Sequence, residues 1–163
     1  MIGNVKTQAV ERVHAGDGVV NGLWSYLWRS RWAVVVTSPL LYACTIPFFA
    51  LDVFASIYQA ICFPIYGIPR VRRSEYIVYD RAKLRYLNLL ERLNCRYCSY
   101  ANGVAAYAGE IAARTEQHWC PIQHDKHPQA PHSRYARFLN YGDRDAYRER
   151  VEQVRRDFRD LES

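Results

Sequence analysis

The sequence predicts an all-α protein that is attached to a membrane. Three features lead to this prediction: a long apolar stretch, basic residues at both of its ends, and helical periodicity in the remainder. With 163 residues there is room for one compact domain and an attachment segment. We expect four parts: a tail and interfacial helix (1–31), an apolar re-entrant hairpin (32–69), a helical Cys/His domain (70–142) and a C-terminal amphipathic helix (143–163).

The N-terminal part is rich in aromatic residues at helical spacing. The stretch 19–32 holds three of the four tryptophans, and Trp24 and Trp28 lie one turn apart. Trp and Tyr prefer the headgroup level of a membrane, where the ring is in contact with apolar groups and its polar atom stays hydrated. An amphipathic interfacial helix is therefore expected here, and a core helix with surplus aromatic residues is the alternative.

The apolar stretch 32–69 holds a single residue expected to be charged, Asp52. Prolines divide it, and its longest proline-free run, Phe48 to Phe63, has 16 residues. At about 1.5 Å per residue this run covers only about 24 Å, less than the roughly 30 Å of a hydrocarbon core. A hairpin that enters and returns is therefore favoured over one crossing, with Pro47 in the first turn of its second arm. A hairpin buried in a soluble bundle is the alternative.

Positive charges at both ends of the stretch predict that both ends lie in the cytoplasm. Between Arg70 and Arg96 there are eight Arg or Lys against three acidic residues, a net charge of +5. We expect Arg70, Arg72 and Arg73 to contact anionic lipid headgroups. No helix-turn-helix, RNP or zinc-finger pattern accompanies this charge, so no nucleic-acid partner is predicted.

Helical patterns fill much of the remaining chain. Asp80 is expected to cap a helix that ends near Asn94, and a second helix is expected from about Ala101 to Trp119. After a loop, Asp143 is expected to cap a final helix that reaches about Leu161. The final helix carries an apolar seam that could dock on the chain's own body or on a partner helix: Tyr147, Val151, Val154, Phe158 and Leu161.

Four residues form a candidate metal site, namely Cys95, Cys98, Cys120 and His124. A C-x2-C pair and a C-x3-H pair supply the three sulfurs and one imidazole of a closed tetrahedral Zn site or a similar Fe site. One objection is that the ends of an intervening 19-residue helix lie about 28 Å apart, unless that helix starts late, bends or unwinds. A redox-active thiol pair and inert buried cysteines are the alternatives.

Two strings, YCSYANG (Tyr97 to Gly103) and RTEQHWCPI (Arg114 to Ile122), resemble motifs of a family of uncharacterised proteobacterial proteins with YCxYANG and TEQxWCPI. The resemblance extends roughly over residues 70–142. It implies a bacterial source, so that the membrane is expected to be the inner membrane, with the protein at its cytoplasmic face. It also matches the four candidate ligands to the family's motif. It implies no activity.

The sequence favours a membrane-attached structural or assembly protein that faces the cytoplasm and binds Zn or Fe. Two alternatives remain: a redox carrier that uses iron or the Cys95 and Cys98 thiols, and a non-catalytic subunit of a larger membrane complex. No phosphate loop, nucleophile elbow or dinucleotide fingerprint is found in the sequence, so an enzyme is not favoured.

Overall fold

The computed structural model describes residues 32–161, and these residues form helices without a β-strand. The all-α prediction is confirmed, whereas the predicted helix within residues 1–31 lies outside the described residues. The five α-helices are α1 (Trp32–Ala43), α2 (Thr45–Tyr66), α3 (Arg73–Tyr76), α4 (Leu89–Trp119) and α5 (Arg144–Arg156). Short 3-10 helices occupy Asp80–Lys83, Tyr135–Arg137 and Arg159–Leu161.

The chain divides into two compact units. The described part of the first unit consists of α1 and Tyr79–Cys98, and the second consists of Cys44–Val78 together with the chain from Ser99 onward. In the first unit, the Tyr42 hydroxyl of α1 donates a hydrogen bond to the side-chain oxygen of Asn94, and the ring of Tyr42 meets Tyr97 edge-on at 5.8 Å. These contacts hold α1 against the first turns of α4.

The apolar stretch forms helices that its prolines do not limit to 16 residues. Helix α2 alone has 22 residues, because Pro47 lies in its first turn, where a missing N–H is tolerated, and Pro64 lies in its last turn. Pro39 lies inside α1. By length and composition, the helical stretch Val36–Tyr66 is able to cross a membrane, and only 11 % of its most apolar part is buried. The hairpin topology stays a prediction.

The two middle helices predicted from the sequence are a single helix, so that prediction is wrong. Helix α4 runs for 31 residues and ends at Trp119, as expected, but it begins at Leu89 rather than after Asp80. Its N-terminus is a capping box, in which the Asn88 side chain accepts from the Glu91 N–H at 2.8 Å and the Glu91 carboxylate accepts from the Asn88 N–H at 2.9 Å. Asp80 instead begins a short 3-10 helix.

The core of the second unit lies where α2, α4 and the C-terminal segment meet. Its fully or nearly fully buried side chains include Phe63, Tyr107, Ile111 and Phe158. Asp143 caps α5 as predicted, because its carboxylate accepts from the Ala146 N–H at 2.9 Å. The helix ends at Arg156, earlier than expected, and a 3-10 turn follows.

The apolar seam of the C-terminal helix packs mainly within the chain. Val151, Val154 and Phe158 are buried in the second unit, whereas Tyr147 stays exposed. Docking on the chain's own body therefore accounts for the centre of the seam. Contact with a partner helix stays a prediction for the exposed part.

Candidate functional site

Helix α2 buries polar side chains beside a few apolar ones, and it exposes most of its large apolar side chains. The buried residues recur at helical spacing, Asp52, Ala55, Gln59 and Phe63, and two of these four are polar. The opposite surface carries large apolar side chains that are exposed: Ile46, Phe49, Phe54, Ile57, Ile61 and Ile65. The helix of a soluble protein shows the reverse arrangement. The exposed side chains of this list are called the apolar face of α2 below.

Asp52 is the charged residue of the polar side of α2, and it is fully paired. Arg73 donates to both carboxylate oxygens, from Nε at 2.9 Å and from Nη2 at 2.6 Å, and the Tyr100 hydroxyl donates at 3.0 Å. The Asp52 side chain is 9 % exposed and that of Arg73 is 46 % exposed. A bidentate pair of this kind satisfies a buried carboxylate that would otherwise be costly.

Gln59 holds the chain that returns from the end of α2. Its side-chain oxygen accepts from the Val71 N–H at 3.0 Å, its amide donates to the Val71 carbonyl at 3.3 Å, and the amide also donates to the Tyr107 hydroxyl. The return begins at Gly67, whose φ of +69° ends the helix, and the Ile68 N–H donates to the Phe63 carbonyl at 2.9 Å. The segment 68–73 therefore runs back along the polar side of α2.

The polar side of α2 is visible in the spacing of polar residues in the sequence, but it was not among the sequence-based predictions. Within Phe48–Phe63, the residues Asp52, Ser56 and Gln59 lie four and three positions apart, and so share one face of a helix. The Ser56 hydroxyl lies 3.2 Å from the Tyr107 hydroxyl, in agreement with that pattern. Polar residues that share one face of an otherwise apolar helix predict where its protein neighbours lie.

The YCSYANG string has structural roles in the second unit. Tyr100 reaches Asp52, as described above, and Gly103 lies against the end of α3. A Cβ at Gly103 would lie 2.7 Å from the Tyr76 carbonyl oxygen and 2.9 Å from the Ile77 Cα. Glycine is required there because no side chain fits.

The RTEQHWCPI string also positions other segments. Arg114 donates to Glu110 at 2.8 Å and to the Pro69 carbonyl at 2.7 Å. Gln117, which is fully buried, donates to the carbonyls of Val154 and Asp157, each at 2.8 Å. These contacts attach the returning segment and the C-terminal segment to α4.

Arg134 joins the loop to the C-terminal segment. Its guanidinium is buried, donates to the Gln117 side chain, pairs with Asp160 at 3.1 Å and lies 5.0 Å from the centre of the Phe158 ring. Burial alone would raise the pKa of Asp160, but the hydrogen bonds and charges of Arg134 and Arg137 together hold it below its usual value.

An aromatic cluster surrounds the C-terminal end of α2. Tyr66 stacks on His118 at 5.3 Å and meets Trp119 edge-on at 5.4 Å. Burial, followed by the positive charge of Arg155, lowers the pKa of His118, which favours its neutral form. Trp119 is exposed, so the cluster presents an indole ring next to the apolar face of α2.

The predicted metal ligands are divided between the two compact units. Cys95 and Cys98 belong to the first unit, and Cys120 and His124 belong to the second. Cys120 follows the last residue of α4, and His124 stacks on Tyr135 with a ring distance of 5.9 Å. Within residues 32–161, no group of three or more His, Cys, Asp or Glu side chains could hold a metal ion. Zn or Fe binding stays a prediction.

Comparisons with known proteins give no family for this chain. No protein-family model, curated protein or solved structure matches it. The resemblance of the YCSYANG and RTEQHWCPI strings to a proteobacterial family therefore stays a prediction.

Proposed function

We propose that this chain is a structural or assembly protein held at the cytoplasmic surface of the inner membrane by the apolar face of α2. The observation that carries the proposal is the reversed polarity of that helix. Phe54 and Ile65 are 72 % and 73 % exposed, while Asp52 on the opposite side is buried. Contiguous apolar surface of this kind is rare on soluble monomers and is typical of membrane or protein contact.

The number of exposed side chains is sufficient for stable attachment. Transfer of one large apolar side chain from water contributes about 1.5–3 kcal/mol, so three side chains together already contribute about 5–9 kcal/mol. A single myristoyl chain, which binds membranes only marginally, has a partition constant of about 10⁴ M⁻¹. The apolar face of α2 contains six large side chains, so attachment needs no additional lipid group.

The polar side of α2 favours a helix that lies in the membrane surface over a helix that crosses. Its contacts with the protein body extend from Asp52 to Tyr66, which is about 21 Å along the axis. A full crossing would bring Arg73 and the Arg114–Glu110 pair toward the hydrocarbon core, where charged groups cost several kcal/mol. In a helix parallel to the surface, only the apolar face enters the acyl region.

The buried polar groups of the second unit support a structural role. Gln59, Gln117 and Arg134 each hydrogen-bond segments that are distant in sequence. Asp52 does the same through Arg73. Each of these groups holds segments of the second unit together.

Cell fractionation tests the proposal. The wild-type chain is expected to sediment with membranes, to resist extraction by high salt and to require detergent. The double variant Phe54→Glu/Ile61→Glu places two charges in the apolar face of α2, and most of it should appear in the soluble fraction. Tyr141→Glu, at an exposed loop residue of the same unit, is the matched control and should stay with the membrane.

Two results would contradict the proposal. Release of the wild type by salt alone would mean that basic charge, rather than the apolar face, is the attachment. Unchanged sedimentation of the double variant would mean that the face of α2 does not touch lipid. Tags at both termini should be accessible from the cytoplasmic side, and a tag found on the other side would indicate a crossing instead.

A further inference from the structure

The first unit contains a basic cleft of about 400 Å³. It is lined by Tyr79, Lys83, Leu89, Arg92, Leu93 and Arg96. We infer that this cleft binds the phosphate headgroup of an anionic phospholipid. The inference rests on the proposed membrane attachment, but it concerns different residues from those of the apolar face of α2.

The cations of the cleft have no acidic partner in the described chain. Residues 79–98 carry five cations and two carboxylates, a net charge of +3. Both carboxylates bind local backbone: Asp80 accepts from the Arg81 N–H at 2.7 Å, and Glu91 belongs to the capping box of α4. Within residues 32–161, no ion pair involves the charged lining residues, which are Lys83, Arg92 and Arg96. Three like charges around one cleft favour an anion between them.

The spacing of the lining residues suits a phosphate with an apolar part attached. Arg92 and Arg96 lie one turn apart on α4 and so project from the same face, where guanidinium groups can donate several hydrogen bonds to phosphate oxygens. Leu89 and Leu93 flank them with the same spacing, and both are exposed. A soluble anion would leave these leucines in water, whereas the glycerol and acyl carbons of a lipid would cover them.

Other basic residues predicted to contact lipid are already engaged in the second unit. The partners are the Ala60 carbonyl for Arg70, Glu75 for Arg72 and Asp52 for Arg73. The Arg72–Glu75 pair is exposed and therefore weak, but the other two contacts hold the returning segment against α2. Charge complementarity therefore points to the cleft of the first unit for headgroup binding.

Vesicle flotation with the purified full-length chain tests the inference. Vesicles of phosphatidylcholine alone are compared with vesicles that also contain phosphatidylglycerol. The cleft variant replaces Lys83, Arg92 and Arg96 by Gln. The matched control replaces three exposed cations of α5 by Gln, namely Arg144, Arg148 and Arg150, and removes the same net charge.

The wild type is expected to prefer anionic vesicles. Each cation near the surface strengthens binding to anionic lipid by about five-fold, so the cleft variant should bind anionic vesicles about a hundred-fold more weakly. Its binding to neutral vesicles should be unchanged. The α5 variant should keep most of the preference. Equal losses in the two variants would mean that only net charge matters, and would overturn the inference.

A third arm separates a lipid headgroup from a free anion. Inorganic phosphate at millimolar concentration is compared with sodium chloride of the same ionic strength, and phosphate should add only weak competition because it has no carbons to cover Leu89 and Leu93. Loss of the whole preference for anionic vesicles in millimolar phosphate, but not in sodium chloride, would show a site for a soluble anion and would refute the lipid assignment. Failure of the wild type to bind neutral vesicles would contradict the proposed role of α2 instead. The role of the cleft is tested separately, by the binding to anionic vesicles.

Discussion

The Asp52–Arg73 pair gives an unequal response to truncation of its two partners. Arg73→Ala would leave a carboxylate that is 9 % exposed without its cation, whereas Asp52→Ala would leave a guanidinium that is 46 % exposed and can reach water. Removing one partner of a buried pair costs about 3–5 kcal/mol when the other stays buried. We therefore expect about 3 kcal/mol of destabilisation for Arg73→Ala and about 1–2 kcal/mol for Asp52→Ala, which loses hydrogen bonds only.

Two further variants define the size of the interaction. The double variant Asp52→Ala/Arg73→Ala should cost less than the sum of the single changes by about 2 kcal/mol, because no unpaired carboxylate remains. Tyr100→Phe, which removes only the hydroxyl donor to Asp52, should cost about 1 kcal/mol.

Urea unfolding in mild detergent, followed by far-ultraviolet circular dichroism, measures these free energies. The reasoning would be refuted if Arg73→Ala destabilised the chain no more than Asp52→Ala. It would also be refuted if the two single effects were simply additive, since that would mean that the residues do not interact in solution.

Three further predictions follow from other contacts. Gly103→Ala should destabilise the chain by about 1–3 kcal/mol, because its Cβ would collide with the Tyr76 carbonyl oxygen; thermal melting checks this, and an unchanged Tm would contradict the close approach. The pKa of Asp160 is lowered in the folded chain, so its pairing with Arg134 stabilises the fold above the ordinary carboxyl pKa and is lost as pH falls through the lowered value. Asp160→Asn should therefore reduce stability at neutral pH by about 1–2 kcal/mol and flatten the loss of stability in acid, and parallel curves for variant and wild type would exclude this role. A metal ion shared by the four predicted ligands requires Cys120→Ser to lower metal content and Tm together; elemental analysis and thermal melting check this, and unchanged metal content in the variant would refute the shared site.

Local patterns in the sequence predicted several elements correctly. The helical class, the cap at Asp143 and the end of α4 at Trp119 all depend on residues within a few positions of each other. The predicted limit of 16 residues was too strict for α2, because Pro47 lies in the first turn, where a missing N–H is tolerated, and the Ala60 carbonyl that Pro64 leaves unpaired accepts from Arg70. The predicted boundary at Asn94 was wrong because the side chain of Asn94 is held by Tyr42 inside a continuous helix, and tertiary contacts override a weak helix propensity.

The sequence by itself determined that residues 32–69 form apolar helices and that basic residues follow them, because hydropathy and charge are properties of the local chain. The tertiary structure decided which residues bind the polar side of α2. These partners are distant along the chain. Arg73, which binds Asp52, is 21 residues away from it, and Tyr107, which binds Gln59, is 48 residues away. Pairings over such separations leave no periodic signal in the sequence, because they form only when the returning segment and α4 pack against the helix.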